Sequence, residues 1–391
     1  MTPGARAAAA IEILDTINSG VAAEKALTSW ARASRFAGSG DRASIRDIVF
    51  DVLRRRRSSA ALGGGETGRA LVLGHLRGAG RAPEELFTGQ GHAPPPLSDA
   101  ERWAPPDILP DAIALDIPDW LWPDLATGLG DALAPVAQLL RQRAPVGLRV
   151  NVLKAGHAEA AAALEEDEIE STRHPLAETA RVVQRNARRI NGSRAYRDGL
   201  VELQDPASQA VVETLAPIAT GSSVLDYCAG GGGKALALAA LTRGPVFAHD
   251  ADPARMADIP ARAARAGAAI HRIGALDVAA RPSWDLIFVD VPCSGSGAWR
   301  RQPASKWTLT PDRLEALCAL QAKILARAAR LLAPGGRLVY ATCSLLGAEN
   351  QAQILRFLAT DQGATWRCRF ERQFLPTEGG DGFFVAHLIR E

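Results

Sequence analysis

The apolar run Val224-Leu225-Asp226-Tyr227 leads through Cys228 and Ala229 into four consecutive glycines, Gly230, Gly231, Gly232 and Gly233, and then into Lys234 and an Ala/Leu helical stretch. A strand that ends in glycines and re-enters as a helix is the opening turn of an open α/β sheet. In such sheets ligands bind outside the carboxyl ends of the strands, and glycine lets the backbone approach them closely. Three later apolar runs, 246–249, 286–289 and 338–341, alternate with helical text. That alternation predicts a mostly parallel sheet with helices on both faces. The best-formed helix is read over 311–332, with Leu314, Leu317, Ile324, Leu325, Ala328 and Leu331 on one face, Pro at its start and Pro334-Gly335-Gly336 beyond its end.

A chain of 391 residues allows two or three domains. From Ala7 to Arg57 the pattern is helical; from Asp41 onward, Ile45, Ile48, Val49, Val52 and Leu53 form one stripe that runs into Arg54-Arg55-Arg56-Arg57. That arginine run reads as a solvated helix end, favoured by the helix dipole, or as a phosphate contact. Glycines 63–65 break the pattern, a further helix covers 69–76, and 89–96 reads as a linker or loop. A strand at 148–151, a helix at 157–164 and a strand starting at 181 suggest a small α+β subdomain. The expected division is an all-helical domain over 1–135, an Arg-rich α+β subdomain over 136–205 and an α/β domain over 206–391.

Net charge is only +2, from 45 basic and 43 acidic residues, so overall charge makes no case for nucleic acid. Its distribution does: Arg173, Arg181, Arg185, Arg188, Arg189, Arg194 and Arg197 fall within 25 residues that hold one acid, Glu178. This is the strongest local basic excess in the chain and reads as a polyanion footprint. No uncharged apolar stretch approaches the roughly 18 residues of a spanning helix, so no membrane association is expected. The five cysteines, 228, 293, 318, 343 and 368, are odd in number and lack C-x-x-C spacing, which argues against disulfides and against a metal site. A reducing cytoplasm and a monomer are the corresponding expectations.

The glycine segment matches neither the G-x-G-x-x-G fingerprint nor the P-loop, because Ala235 stands where a magnesium-holding Ser or Thr would be. A nucleoside-bearing cofactor fits better than a triphosphate. Asp250, at the end of the next strand, is placed for ribose hydroxyls, and Asp277 for an adenine amino group. Together these suggest S-adenosylmethionine, with a dinucleotide as the alternative. The discriminating segments are Asp290-Val291-Pro292-Cys293-Ser294-Gly295-Ser296-Gly297 and Tyr340-Ala341-Thr342-Cys343-Ser344. Each follows a strand, and neighbouring strands lie about 4.8 Å apart, so the two thiols share one crevice if those strands pair. Cys318 and Cys368 lack this context and read as structural.

With DYCAGGGGK (226–234), DVPCSGSG (290–297), RRQPASKW (300–307), LVYATCS and AENQ (338–351), QDPAS (204–208) and DGFFVAHL (381–388), the chain resembles the Sun-type RNA cytosine-C5 methyltransferases, in the bacterial 16S ribosomal RNA branch called RsmB or Fmu. The matching stretches cover the C-terminal two thirds. The resemblance implies a Rossmann-like methyltransferase domain preceded by an all-α NusB-like RNA-binding domain, which 40–56 resembles, and a small α+β RNA-binding subdomain. It further implies that Cys228, Ala229, Gly230, Gly231, Gly232, Gly233 and Lys234, with Asp250, Asp277 and Asp290, bind S-adenosylmethionine. Cys343 would be the nucleophile on a cytosine of ribosomal RNA, Cys293 the group that helps release product, and Asp290 and Lys234 catalytic neighbours. Transfer RNA, another ribosomal site, or a non-catalytic RNA-binding assembly role are the alternatives. The chain departs from the family at Gly231, usually Pro, and at Ala235, usually Thr.

Overall fold

The computed structural model describes residues 1–103, 106, 108–281 and 283–391. They group into two units: Met1–Arg143 with Trp299–Thr308, and Ala144–Ala298 with Leu309–Glu391. Among the described residues no helix is long and apolar enough to cross a membrane.

The first unit is helical. Helices Pro3–Asn18, Ala23–Ala33, Ser39–Arg54, Arg56–Gly63 and Gly68–Gly78 turn Ile13, Leu14, Ile45, Val49, Val52, Leu53, Leu71 and Leu76 into one core, each such side chain contributing about 1.5–3 kcal/mol by leaving water. Thr2 caps the first helix by accepting a hydrogen bond from Ala5 N. The arginine run is neither a solvated helix end nor a free phosphate contact. Its helix stops at Arg54, a new one starts at Arg56, and all four side chains have internal partners. Arg54 is buried and donates to Arg300 O at 2.8 Å, Arg55 donates to Arg141 O, Arg56 pairs with Glu66, and Arg57 pairs with Asp119. A buried guanidinium must spend its donors on protein acceptors because no water reaches it. Trp307 Nε1, donating to Leu53 O at 2.6 Å, helps hold the 299–308 segment to this unit.

The second unit carries two sheets. The strands β1 (Val146–Val150), β2 (Ser171–Arg173), β3 (Ala180–Val183) and β4 (Val201–Leu203) form an antiparallel sheet in the order β2-β3-β1-β4. The larger sheet comprises β5 (Val224–Asp226), β6 (Val246–Ala248), β7 (Ile270–Arg272), β8 (Trp284–Asp290), β9 (Leu332–Thr342), β10 (Trp366–Phe374) and β11 (Phe383–Arg390). Its order is β10-β11-β9-β8-β5-β6-β7, parallel from β5 to β9 and antiparallel at β11 and β10. This is the Rossmann-like methyltransferase sheet. Successive residues of a strand face opposite ways, so Val224, Leu286, Phe288 and Val339 feed one layer, while Leu225, Ile287, Val289 and Leu338 feed the other. The chain leaves β5 toward β6 and later returns on its other side as β8, opening a crevice at the carboxyl ends of both. The long helix ends at Ala329, three residues short of the sequence expectation, because Leu332 already opens β9.

Candidate functional site

The loops that follow β5, β8 and β9 meet at that crevice. β8 and β9 pair with Val289 opposite Tyr340 and Asp290 opposite Ala341, so the two cysteine loops leave side by side. Cys293 Sγ and Cys343 Sγ are 3.3 Å apart, and Gly297 N donates to Cys343 O at 3.0 Å. The hydrogen bond to Cys343 and then burial push the Cys293 thiol well above the ordinary range, so it holds its proton.

Lys234 starts the helix Gly233–Thr242 and reaches across to the end of β8, where Nζ donates to Asp290 Oδ2 at 2.6 Å. Its ammonium also stands 5.1 Å from the centre of the Phe383 ring. Burial disfavours that charge, but the charge of Asp290 and its hydrogen bond outweigh it and raise the Lys234 pKa. Lys234, Asp290, Cys293 and Cys343 line one cavity of about 640 Å³ with Cys228, Ala229, Gly230, Gly231 and Gly233. Gly230 and Gly232 have φ of 49° and 79°, the left-handed region that glycine enters without strain. At Gly232 a Cβ would stand 2.7 Å from Ile259 Cγ1.

A second cavity of about 740 Å³ shares Cys228, Arg255 and Pro292 with the first and is walled by Tyr227, His249, Asp250, Met256, Ile273 and Ile324. Asp250 is buried there; its Oδ2 accepts Gly230 N at 2.9 Å and Arg255 Nη1 at 3.0 Å, and Oδ1 accepts Asp252 N. Asp277 stands next to this cavity, bonded to Gly274 of its wall. It is exposed, lines neither cavity, and its carboxylate accepts Gly274 N at 3.1 Å as the cap of the short helix Ala275–Ala280. Burial raises the Cys228 thiol, which makes it inert at neutral pH.

The sequence reading assigned no role to Asp226, at the last position of β5. It is fully buried, and neither carboxyl oxygen has a well-formed hydrogen bond among the described residues. Burial, then the charge of Asp290, push it up to about 7. An orphaned acid on a cavity wall marks the place of a missing donor, and that state depends on packing that no linear motif displays. Glu349 was quoted within AENQ but given no role either; it lies buried between the two cysteine loops.

The basic stretch is largely neutralised. Arg173 pairs with Glu178, Arg185 with Glu170 at 3.3 Å, Arg189 with Glu168, and Arg194 with Glu166 at 2.7 Å and Asp198 at 3.4 Å. Arg181 is buried and donates to Ser171 O, Arg188 also has a partner, and Arg197 is exposed. Three of these acids precede the window in which the excess was counted. In the helical unit Arg32, Arg35, Arg42 and Arg46 line a groove of about 650 Å³ beside Trp30, and the first three carry no ion pair among the described residues.

Residues 212–389 match the family model described as 16S rRNA methyltransferase RsmB/F, and residues 117–188 match the RsmF/B-like ferredoxin-like domain. Over 366 residues the chain is 34% identical to the ribosomal RNA small subunit methyltransferase B of Xanthomonas campestris pv. campestris, covering 87% of this chain and 78% of that one. Of the solved structures, that of the protein PH0851 aligns over 100% of this chain and 99% of its own, with a TM-score of 0.76 at 22% identity. A methyltransferase homologue from Pyrococcus horikoshii aligns over 72% of this chain and 97% of its own, with a TM-score of 0.62 at 24% identity. The two structures share the fold; the kinship in sequence rests on the first relative.

Proposed function

Since this chain belongs to the RsmB/F family of 16S rRNA methyltransferases, we propose that it moves a methyl group from S-adenosylmethionine to C5 of a cytosine in 16S ribosomal RNA, through a covalent bond between Cys343 and cytosine C6. The observation that carries this reading is the pair of thiols 3.3 Å apart at adjacent strand ends, on the same cavity wall as the Lys234–Asp290 ion pair and the glycine loop.

The cavity residues fit the cofactor. Asp226 is a buried acceptor in want of a donor, suited to an ammonium group. The glycine loop brings backbone to the cavity wall, and Tyr227, Met256, Ile273 and Ile324 provide an apolar wall suited to a nucleobase. When bound, S-adenosylmethionine supplies an electrophilic methyl group. Cytosine C5 is a poor nucleophile, so the thiolate of Cys343 first bonds to C6 while N3 takes up a proton; Asp290 is the group for that contact, with the proton passed to it by the Lys234 ammonium that donates to its carboxylate. With C5 methylated, the C5 proton must leave, the S–C6 bond must break, and N3 must give its proton back. Cys293 is protonated and touches the departing sulfur, so it can return a proton to Cys343 and then, as a thiolate, take the proton from C5.

The base must leave its stack to enter such a pocket. Arg32, Arg35 and Arg42 in the helical unit, and the exposed Arg173, Arg185, Arg188, Arg189, Arg194 and Arg197, are the groups we assign to the RNA backbone. Exposed ion pairs contribute about 0–1 kcal/mol, so phosphate can exchange with their glutamates. The NusB-like reading of 1–135, the α+β subdomain at 136–205 and a cytoplasmic monomer are part of the same proposal. The test is label transfer from methyl-tritiated S-adenosylmethionine to unmodified 16S ribosomal RNA and to transfer RNA. Label in ribosomal RNA supports the substrate; label only in transfer RNA overturns it.

A further inference from the structure

Glu349 is a carboxylate with no solvent exposure and, among the described residues, no cation against it. Such a group is expensive to keep unless its oxygens are filled by donors. Four donors fill them. Oε1 accepts Ser294 N at 2.8 Å and Gln321 Nε2 at 3.0 Å, while Oε2 accepts Ser294 Oγ and Ser344 Oγ, both at 2.5 Å. Gln321 Nε2 also donates to Pro292 O at 2.9 Å, and the Tyr340 hydroxyl donates to Glu349 O at 2.6 Å. Ser294 follows Cys293, Ser344 follows Cys343, and Pro292 precedes Cys293, so one side chain bonds the immediate neighbours of both thiols. Further bonds link the same loops: Ser296 Oγ with Ser344 Oγ at 2.9 Å, Leu345 N to Ser296 Oγ at 2.8 Å and Ser294 Oγ with Ser344 Oγ at 3.4 Å.

We propose that Glu349 is a positioning residue that sets the distance between Cys293 and Cys343 by bonding the serine that follows each of them, so that a proton can pass between the sulfurs when the product is released. This rests on the two-thiol reading of the reaction. Strand pairing alone brings the loops side by side, but both loops continue past the last paired residues, Asp290 and Ala341. Beyond that point two backbone bonds, Val291 N to Ala341 O and Gly297 N to Cys343 O, both at 3.0 Å, are joined by side-chain hydrogen bonds, and Glu349 accepts three of these, from Ser294 N, Ser294 Oγ and Ser344 Oγ. A carboxylate suits this place because all four partners can donate at once, which an amide can match only by turning both serine hydroxyls into acceptors.

The test compares wild type with Glu349→Ala and Glu349→Gln in two assays. The first reads geometry without any methyl transfer: diamide oxidises two nearby thiols to a disulfide, accepting two electrons and two protons to become a hydrazine, and peptide mapping follows the Cys293–Cys343 bond. The second measures kcat and KM with S-adenosylmethionine and 16S ribosomal RNA, together with denaturation-resistant RNA adduct. For Glu349→Ala, disulfide formation should slow about tenfold and kcat should fall about 10²-fold, since a misplacement near 1 Å costs that much. KM for both substrates should stay within about twofold, and adduct should accumulate because release is the impaired step. Glu349→Gln should recover most of both rates. If Glu349→Ala does not fold, Ser294→Ala and Ser344→Ala each remove one tie and should slow disulfide formation about threefold.

Disulfide formation and kcat within twofold of wild type would overturn the proposal, as would a loss confined to KM. A wild type that forms the disulfide readily but methylates no RNA would overturn the reaction reading, while slower oxidation in Glu349→Ala would still uphold the positioning role.

Discussion

The glycine loop after β5 and the cysteine loops after β8 and β9 face one cavity but are held in opposite ways. The glycine loop is held by its backbone: Arg149 Nη1 donates to Gly233 O at 2.9 Å, Arg262 donates to Gly231 O, and Gly230 N donates to Asp250. The cysteine loops share a backbone bond, Gly297 N to Cys343 O, and are otherwise held by side chains through a buried carboxylate, three serines and Gln321. A loop fixed through its carbonyls and amides tolerates a changed side chain. A loop fixed through side chains does not. Gly231, whose carbonyl Arg262 holds, is a position of the first kind, and Ser294 and Ser344 are positions of the second.

The sharpest test of that contrast is Lys234, which starts the helix of one loop and pairs with Asp290 beside the other. Lys234→Ala should lower kcat/KM by about 10²-fold, measured by tritium transfer, because it removes the cation that pairs with the partly covered Asp290 carboxylate at the reacting centre. Asp226→Asn comes next, with cofactor binding about tenfold weaker by calorimetry at pH 8, the size of a lost charge-assisted bond.

In the wild type that affinity should rise with pH through about 7, as Asp226 ionises. Stability without cofactor runs the other way. Asp226 is raised in the folded chain from an unfolded value of about 3.9, so the folded state holds a proton that the unfolded state has lost. Its stabilising contribution is therefore present below pH 4 and is lost as pH rises toward 7. Thermal melts across that window should slope less steeply in Asp226→Asn than in wild type.

Arg262→Ala removes one tie to the glycine loop and should weaken cofactor binding about threefold, the worth of a single partly exposed hydrogen bond. Gly231→Pro should leave binding unchanged or slightly tighter, since the carbonyl that Arg262 holds survives and proline restricts only the free loop. A large loss from Gly231→Pro, measured by calorimetry, would break the contrast between the two loops.

What could be read from the sequence was local. Strand, glycines and Lys234 follow one another, as do strand, Cys293 and Ser294, so the crevice and its two thiols were legible before any packing was known. The strands β10 and β11 were not read as strands. β10 leaves Arg367, Arg369, Phe370, Glu371 and Arg372 exposed at an antiparallel edge, unlike the continuous apolar runs of buried parallel strands. The arginine excess looked open because its count began at Arg173, whereas Glu166, Glu168 and Glu170 lie just before it and fold back onto the same surface. Glu349 and Asp226 differ in what surrounds them: one carboxylate is filled by donors and the other has no well-formed hydrogen bond among the described residues. No spacing rule distinguishes those two states.

The account stands most directly on which sulfur bonds to the base. Cys293→Ala and Cys343→Ala should each be incubated with S-adenosylmethionine and 16S ribosomal RNA, denatured, and resolved for RNA-linked protein. The structure predicts an adduct that persists in Cys293→Ala, where the proton needed for release is missing, and none in Cys343→Ala. An adduct in Cys343→Ala, or methyl transfer at the wild-type rate without that thiol, would contradict it.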